Sequence, residues 1–476
     1  MTLVNPPWQF YSPVKLMPLG LSYLGAALRE EGRSQVTLLD LNVLISGPKG
    51  VLDRATRLVE ATKPDVLGLS CTTVQAPFVI EFVRRFKQGN PGVPVLLGGI
   101  HASSGAREML DLCPADVVVH SEGERTLAEV LSVLERDDWT SRLASVSGIT
   151  YRSGRPSRAG AGTEAPASSS GVAIVTTEAR VPIEDLDRLP FPAYDLLPPM
   201  ARYQPLARKP VFSVMASRGC VHHCAFCSGS RFWHGQRWRS PENVIAEVKW
   251  LQSDYDAGFI RFEDDDLLVR RSWADRLLDL TREARVPFSC FARLDTTGPD
   301  TVAKLAAAAC AEVYHGLESA SPRLWGLLRK DMKSGVDLDR CRRLIRLELD
   351  AGIIPTVSAI IGIPTETRDE MRGTVDFLAQ LRAMGARVQL WILTPYPDTD
   401  IVRDWKDHLA EVDRWERFGQ FDVFSEAARD AYRGLVSKYR HLVPDFWMFS
   451  NEAGVEETGR LLVEARRRLI GAFDFV

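Results

Sequence analysis

Long apolar runs are missing from this 476-residue chain. No stretch approaches the roughly 18 apolar residues that a membrane-spanning helix needs, so no bilayer crossing is expected. The opening segment "MTLVNPPWQFYSP" lacks the basic start and apolar centre of a secretory signal, and a cytoplasmic location is expected. An excess of one charge sign is missing too. The formal net charge is −3, and arginine, which outnumbers lysine about fourfold, is scattered among matching Asp and Glu. That leaves no electrostatic footprint for nucleic acid or an anionic membrane surface. Cysteine is scarce, with eight in the whole chain. Such a count in a chain of this kind does not build a disulfide framework, so metal or catalytic chemistry is the better reading of any cluster. Cys71, Cys113, Cys290, Cys310 and Cys341 stand alone, four of them in apolar text, and read as small buried hydrophobes.

What is present is a soluble, domain-sized composition, with 45% hydrophobic and 25% charged residues. The length exceeds what one core supports and implies two or three domains. Over residues 1–146, short apolar runs ("TLVNPP", "VTLLDLN", "DVLGLSCTT", "VPVLLGG", "DVVVHSEGE") alternate with stretches carrying apolar residues at helical spacing. Helices between buried strands predict a parallel, doubly wound α/β sheet of Rossmann type. Ligands of such sheets bind beyond the carboxyl ends of the strands. The loops "PPWQFYSP", "SCTTVQAP", "GGIHASSG" and "HSEGERT" therefore matter most.

Residues 147–204 change character. Two short strands are expected on either side of "SRAGAGTEAPASSS", a Gly/Ala/Ser-rich loop, followed by a proline-punctuated linker. From 205 to 400 the alternation resumes with six strand–helix units, which fit a partial (β/α)6 barrel or a wide curled parallel sheet. The polar strand ends "EDDD", "RLD" and "ES" fall on the face where barrel enzymes carry chemistry. Residues 401–476 read as a helical C-terminal region.

The densest chemistry is "SRGCVHHCAFCSGS", which places Cys220, Cys224 and Cys227 within eight residues directly after a strand. Thiolates select zinc or an iron–sulfur cluster. A structural zinc site takes four protein ligands, and the fourth would have to be His222 or His223, folded back onto the same ion. Three thiolates on a cubane cluster instead leave one iron open to an outside ligand, and iron–sulfur is the stronger reading.

C-x3-C-x2-C with an aromatic (Phe226) before the last cysteine, after the first strand of a (β/α)6 array, resembles the radical S-adenosylmethionine enzymes over about 205–400. The resemblance implies a [4Fe-4S] cluster held by Cys220, Cys224 and Cys227. It also implies S-adenosylmethionine chelated to the open iron and cleaved to a 5′-deoxyadenosyl radical that abstracts substrate hydrogen. By position in that family, Glu263 and Asp264 stand where a Gly-Gly-Glu contact to the methionine amine is usual, although "FEDDD" lacks the glycines. Arg293 stands opposite the methionine carboxylate, Glu318 at the ribose, and Ile361 within the adenine-side strand "IIGIPTET". Asp264, Asp265 and Asp266, with Glu263, put four carboxylates at the active face. They read as catalytic or as recognition of a hydroxyl-rich or cationic substrate such as an amino sugar.

"LGLSCTT", "LLGGIHAS", "HSEGERTLAEVL" and the "PFP" linker are similar to the cobalamin-binding subclass of that family. The resemblance implies a corrin near Gly98, Gly99, His101, Glu122 and Gly123, with the two glycines giving close backbone approach; His101 reads equally as a loop histidine bonded to backbone, and Trp8, Phe10 and Tyr11 as packing either beneath a corrin face or against the second domain. No D-x-H-x-x-G is present, so no histidine of that motif ligates cobalt. The expected reaction is cobalamin-dependent C-methylation of a specialised metabolite. The alternative is cobalamin-free deoxygenation, dehydration, epimerisation or oxidation of an amino-sugar-like molecule. The expected partners are a small-molecule substrate and an electron donor such as flavodoxin or ferredoxin.

Overall fold

The computed structural model describes residues 1–7, 15–32, 35–47, 49–153, 173–204, 208–330, 337–412, 433–434 and 436–469. Trp8, Phe10, Tyr11 and the Gly/Ala/Ser-rich loop lie outside the described residues. The chain forms two compact units. The first comprises Met1–Glu184, Arg188–Tyr203 and the described part of Val423–Val443; the second comprises the remainder.

The first unit is built on strands β1 (Thr2–Asn5), β2 (Thr37–Asp40), β3 (Leu67–Ser70), β4 (Val95–Gly98), β5 (Val117–Val119), β6 (Ile149–Ser153) and β7 (Ala173–Thr176). They lie in the order β2-β1-β3-β4-β5-β6-β7. β1 to β5 are parallel, as their near-continuous apolar text requires. The two short strands expected between 147 and 175 extend this sheet as antiparallel β6 and β7. The chain order reverses about β1, so the switch-point crevice opens between β1 and β3, beside the carboxyl end of β4.

Helix Ala76–Gly89 shows how the sequence builds this core. Phe78, Phe82 and Phe86 recur every four residues and stack at 5.7 and 6.0 Å on the buried face. Each buried ring contributes roughly 1.5–3 kcal/mol. The helix is led in by a capping box, in which Thr72 and Gln75 satisfy each other's backbone N–H. The C-terminal stretch returns to this unit through Tyr439, whose hydroxyl donates to Glu81 at 2.6 Å.

The second unit is built on a six-stranded parallel sheet, with β8 (Val211–Val214), β11 (Phe259–Phe262), β12 (Phe288–Ala292), β13 (Cys310–Glu318), β14 (Ile354–Ile361) and β15 (Arg387–Ile392) in the order β15-β14-β13-β12-β11-β8. A small antiparallel pair, β9 (Ser217–Arg218) and β10 (Arg237–Trp238), brackets the cysteine segment. Alternation sorts the side chains. Phe212, Ile260, Phe262, Cys290, Val357, Ala359, Ile361, Val388 and Leu390 are buried on one face, whereas Ser358 and Gln389 stand half-buried on the other. Cys71, Cys113, Cys290, Cys310 and Cys341 are all buried.

The C-terminal region is helical at Asp400–Trp405 and Val455–Arg468, and adds an antiparallel pair, Leu409–Glu411 with Trp447–Phe449. The last helix opens on Glu456 and Glu457 and closes on Arg466, Arg467 and Arg468, matching charge to the helix dipole. Among the described residues, no helix is long and apolar enough to cross a membrane.

Candidate active site

The cysteine segment leaves β9 through Gly219, at φ +84°, where a Cβ would meet the Gly235 carbonyl oxygen at 2.1 Å. Only glycine fits that passage. The Cys227 N–H closes a tight turn onto the Cys224 carbonyl at 3.1 Å. Between them, Ala225 is clamped through its backbone: its N–H donates to the Leu328 carbonyl, and its carbonyl accepts from the Ile401 N–H, both at 2.8 Å. Its methyl group sits in an apolar knot with Leu324, Leu328, Ile363, Leu393, Ile401 and Phe449, against which Phe226 packs.

The three thiols, all free, line one cavity of about 240 Å³. Burial pushes all three up, Cys220 to about 12, where the charges of Asp265 and Asp266 add to the effect. At Cys224, Lys330 and then Arg293 act in the opposite direction. A bound cation would take each of them as thiolate and displace its proton to solvent. Among the described residues, no three His, Cys, Asp or Glu side chains converge closely enough to hold a single metal ion. Three soft donors spread around one cavity suit a multi-iron cluster better than one tetrahedral ion. His222 turns to Asp266, with Nε2 3.7 Å from Oδ2, and His223 is exposed.

The run Glu263–Asp266 does not act as one acidic mouth. Glu263 accepts from the Ser213 hydroxyl at 2.7 Å and pairs with Arg261 at 3.0 Å. Asp264 is buried and accepts from the Ala216 N–H at 3.1 Å and from the Ser217 hydroxyl, so it anchors the lead-in to the cysteine segment and does not face the cavity. Asp266 is buried beside His222 and accepts from the Leu268 N–H. Asp265 alone lines the cavity. The catalytic assignment is therefore corrected for Asp264 and Asp266, and the amine-contact assignment for Glu263. Strand alternation ends at Phe262, and the turn that follows aims each carboxylate separately.

Burial pushes the Asp264 carboxyl up to about 7, against the Ser217 hydroxyl, which lowers it. The folded-state value lies above the ordinary one, so the native state binds the extra proton and stability falls as pH rises from about 4 to 7. Asp264→Asn removes that ionisation and is expected to abolish a fall in stability of on the order of 4 kcal/mol in total between pH 4 and 7, as read from urea unfolding across this range. An unchanged slope would count against the burial of this carboxylate.

Arg293 lines the cavity but is gripped at both ends by Asp295, at 2.8 and 3.2 Å. Glu318, at φ +65° beyond a bulge in β13, pairs with Lys330 at 2.6 Å, and both are buried. Gly316 makes this possible, because a Cβ there would meet Glu318 Oε1 at 2.2 Å and Lys330 Nζ at 2.8 Å. Ile361 points away from the cavity, and Ser358, of opposite parity on the same strand, lines it instead. Sequence reasoning also missed Lys330, Phe291, Tyr314, Gly316 and Gln389 on the lining. Their signal was strand parity, and for Lys330 a lysine in an arginine-rich chain.

In the first unit, the expected cofactor residues sit at the carboxyl edge of β4 and β5. Gly99 (φ +92°) is fixed by the chain itself, since a Cβ would meet the Cys71 backbone at 3.0 Å; Gly98 meets nothing closer than 3.9 Å. Gly123 makes room for Leu24, and Glu122 accepts from the Ile183 N–H at 2.8 Å. The close-approach argument for Gly99, and the ligand role read for Glu122 and Gly123, thus give way to packing within the unit. His101 differs. It is 2% exposed, neither ring nitrogen has a hydrogen-bond partner among the described residues, and burial lowers its pKa to about 4. An orphaned imidazole at the ligand edge fits a polar group arriving there.

Residues 214–378 match the Radical SAM superfamily and residues 12–131 the B12 binding domain. The chain is 30% identical to an uncharacterized methyltransferase of Pyrococcus horikoshii over 90% of each chain. It is similar in fold to the radical S-adenosylmethionine methyltransferase TsrM of Kitasatospora setae, solved with cobalamin and a [4Fe-4S] cluster, at TM-score 0.67, 18% identity, and 99% and 88% coverage. The cobalamin-dependent S-adenosylmethionine radical enzyme OxsB matches at TM-score 0.68 and 17% identity, over 95% of this chain and 64% of that one.

Proposed function

The chain belongs to the radical SAM superfamily, in the branch that carries a B12 binding domain, and on that premise we propose how its residues serve methyl transfer to a carbon of a small molecule. Relatives named as methyltransferases support this reaction, and the cofactors are a [4Fe-4S] cluster, S-adenosylmethionine and cobalamin. When bound, these groups supply an electron, a cleavable sulfonium and a transferable methyl group. Cys220, Cys224 and Cys227 hold the cluster, in a loop shaped by the Ala225 clamp. Lys330 and Arg293 make the cationic side of the cavity, suited to a carboxylate, and Asp265 the anionic side, suited to an amine. Phe226 keeps water from the cysteines on the side of the apolar knot.

On the same lining, Phe291 and Tyr314 stack at 4.9 Å, with the Arg261 guanidinium 5.8 Å from each ring. Ser358 and Gln389 face each other across paired strands on the same lining. Phe291, Tyr314, Ser358 and Gln389 carry no charge, so this part of the lining favours a neutral substrate portion that is flat and apolar with a hydroxyl or amide. That replaces the amino-sugar expectation, which rested on four free carboxylates where the cavity has one. The electron is assigned to a small flavodoxin- or ferredoxin-type donor. No observation favours the cobalamin-free alternative.

The observation that carries this reading is the convergence of three clamped thiols and the Glu318–Lys330 pair on one cavity. The test is anaerobic reconstitution with iron, sulfide and hydroxocobalamin. One corrin per chain is expected to co-elute, and dithionite with S-adenosylmethionine to yield 5′-deoxyadenosine. A corrin-free protein with full turnover would overturn methyl transfer.

A further inference from the structure

We propose that His101 is held for bound cobalamin as a hydrogen-bonding partner of a neutral polar group on the cofactor, and not as a ligand to cobalt. The inference rests on the reading that the first unit binds cobalamin, and it concerns the manner of binding.

His101 follows the Gly98–Gly99 turn at the carboxyl end of β4, two strands from β1 across the switch point. Its backbone is committed: the N–H donates to the Cys71 carbonyl at 3.1 Å, and the carbonyl accepts from the Gly105 N–H at 2.9 Å. The backbone is therefore fixed in place, yet among the described residues the two ring nitrogens find no partner although the residue is 2% exposed. The neighbouring His120 shows the ordinary outcome on the same edge, with its Nε2 2.8 Å from the Thr150 hydroxyl. Native proteins leave few buried polar atoms unanswered, and an exception calls for an absent partner.

The chemistry of that partner follows from the ring. A neutral imidazole presents one donor and one acceptor. Burial disfavours the imidazolium here, so the matching groups are neutral, an acceptor facing the ring N–H and a donor facing the bare nitrogen, which amides or hydroxyls supply. Cobalamin carries both on its periphery. Metal ligation demands a different second environment: a ligating histidine usually donates its other N–H to a carboxylate or carbonyl that orients the ring, and His101 has no such bond.

The test compares native protein with His101→Phe and His101→Gln, using hydroxocobalamin as the probe and equilibrium dialysis as the readout. Phe is expected to weaken binding about tenfold to a hundredfold, corresponding to two hydrogen bonds lost, and Gln, which keeps a donor and an acceptor, to recover most of that loss. Thermal unfolding of the cofactor-free variants checks that they fold. Unchanged affinity in His101→Phe, or Gln no better than Phe, would overturn the proposal. A measurement on native protein stands apart from any folding defect. Electron paramagnetic resonance of its cob(II)alamin form is expected to show no nitrogen splitting that changes when the histidines of the protein carry nitrogen-15, and a three-line splitting that collapses to two lines on that labelling would make a histidine the ligand and overturn the proposal. Neither readout uses methyl transfer. Failure of the methyltransferase reading with corrin still bound would leave the assignment of His101 standing, whereas no corrin binding by native protein would remove both.

Discussion

Cys224→Ala is expected to abolish 5′-deoxyadenosine formation while leaving the fold intact. Cys224 adjoins Ala225, whose two backbone hydrogen bonds and buried methyl group hold the segment independently of any sulfur. Removing one thiol therefore deletes a cluster donor without releasing the loop. Losing a group that only supports a metal ligand costs about 10- to 100-fold, so loss of a ligand from a set of three is expected to exceed about a hundredfold. Iron content, the reduced-cluster signal and chromatographic 5′-deoxyadenosine should fall together, with the unfolding midpoint within a few degrees of native. Undiminished 5′-deoxyadenosine would refute the cluster assignment.

The second large effect is expected at Lys330→Met. Glu318 would then lie buried without its cation, and breaking such a pair from one side costs about 3–5 kcal/mol. Stability and affinity for S-adenosylmethionine should both drop. The double variant Lys330→Met with Glu318→Gln separates the two effects. It leaves no buried charge, so urea unfolding should recover most of the loss. Dialysis against labelled S-adenosylmethionine should show no recovery of affinity, because the Lys330 ammonium is still missing from the cationic side of the cavity. Recovery of both would reduce the pair to a structural role.

The strands, their parallel pairing and the cysteine loop were legible because each is written locally, in apolar runs, helical spacing and three thiols within eight residues. Individual roles at the site were less so. The four carboxylates after β11 look alike in sequence. Only the turn beyond Phe262 gives Glu263 to Ser213 and Arg261, and Asp264 to the backbone of Ala216. Ile361 was misassigned by one step of alternation, which exchanges the two faces of a strand. Lys330 stands twelve residues beyond its partner Glu318, and nothing in the intervening text signals a bulge in β13. His101 could be named from its loop, but its unanswered nitrogens are a property of the packed neighbourhood.

The grip on Ala225 has a bearing on biogenesis. Its two backbone partners, Leu328 and Ile401, are encoded about 100 and 175 codons later. At some 5–20 residues per second, a ribosome takes on the order of ten to thirty-five seconds to cover that span. A nascent chain thus exposes unshaped thiols throughout the interval, and iron delivery has to wait for, or be shielded until, emergence of the distal segments.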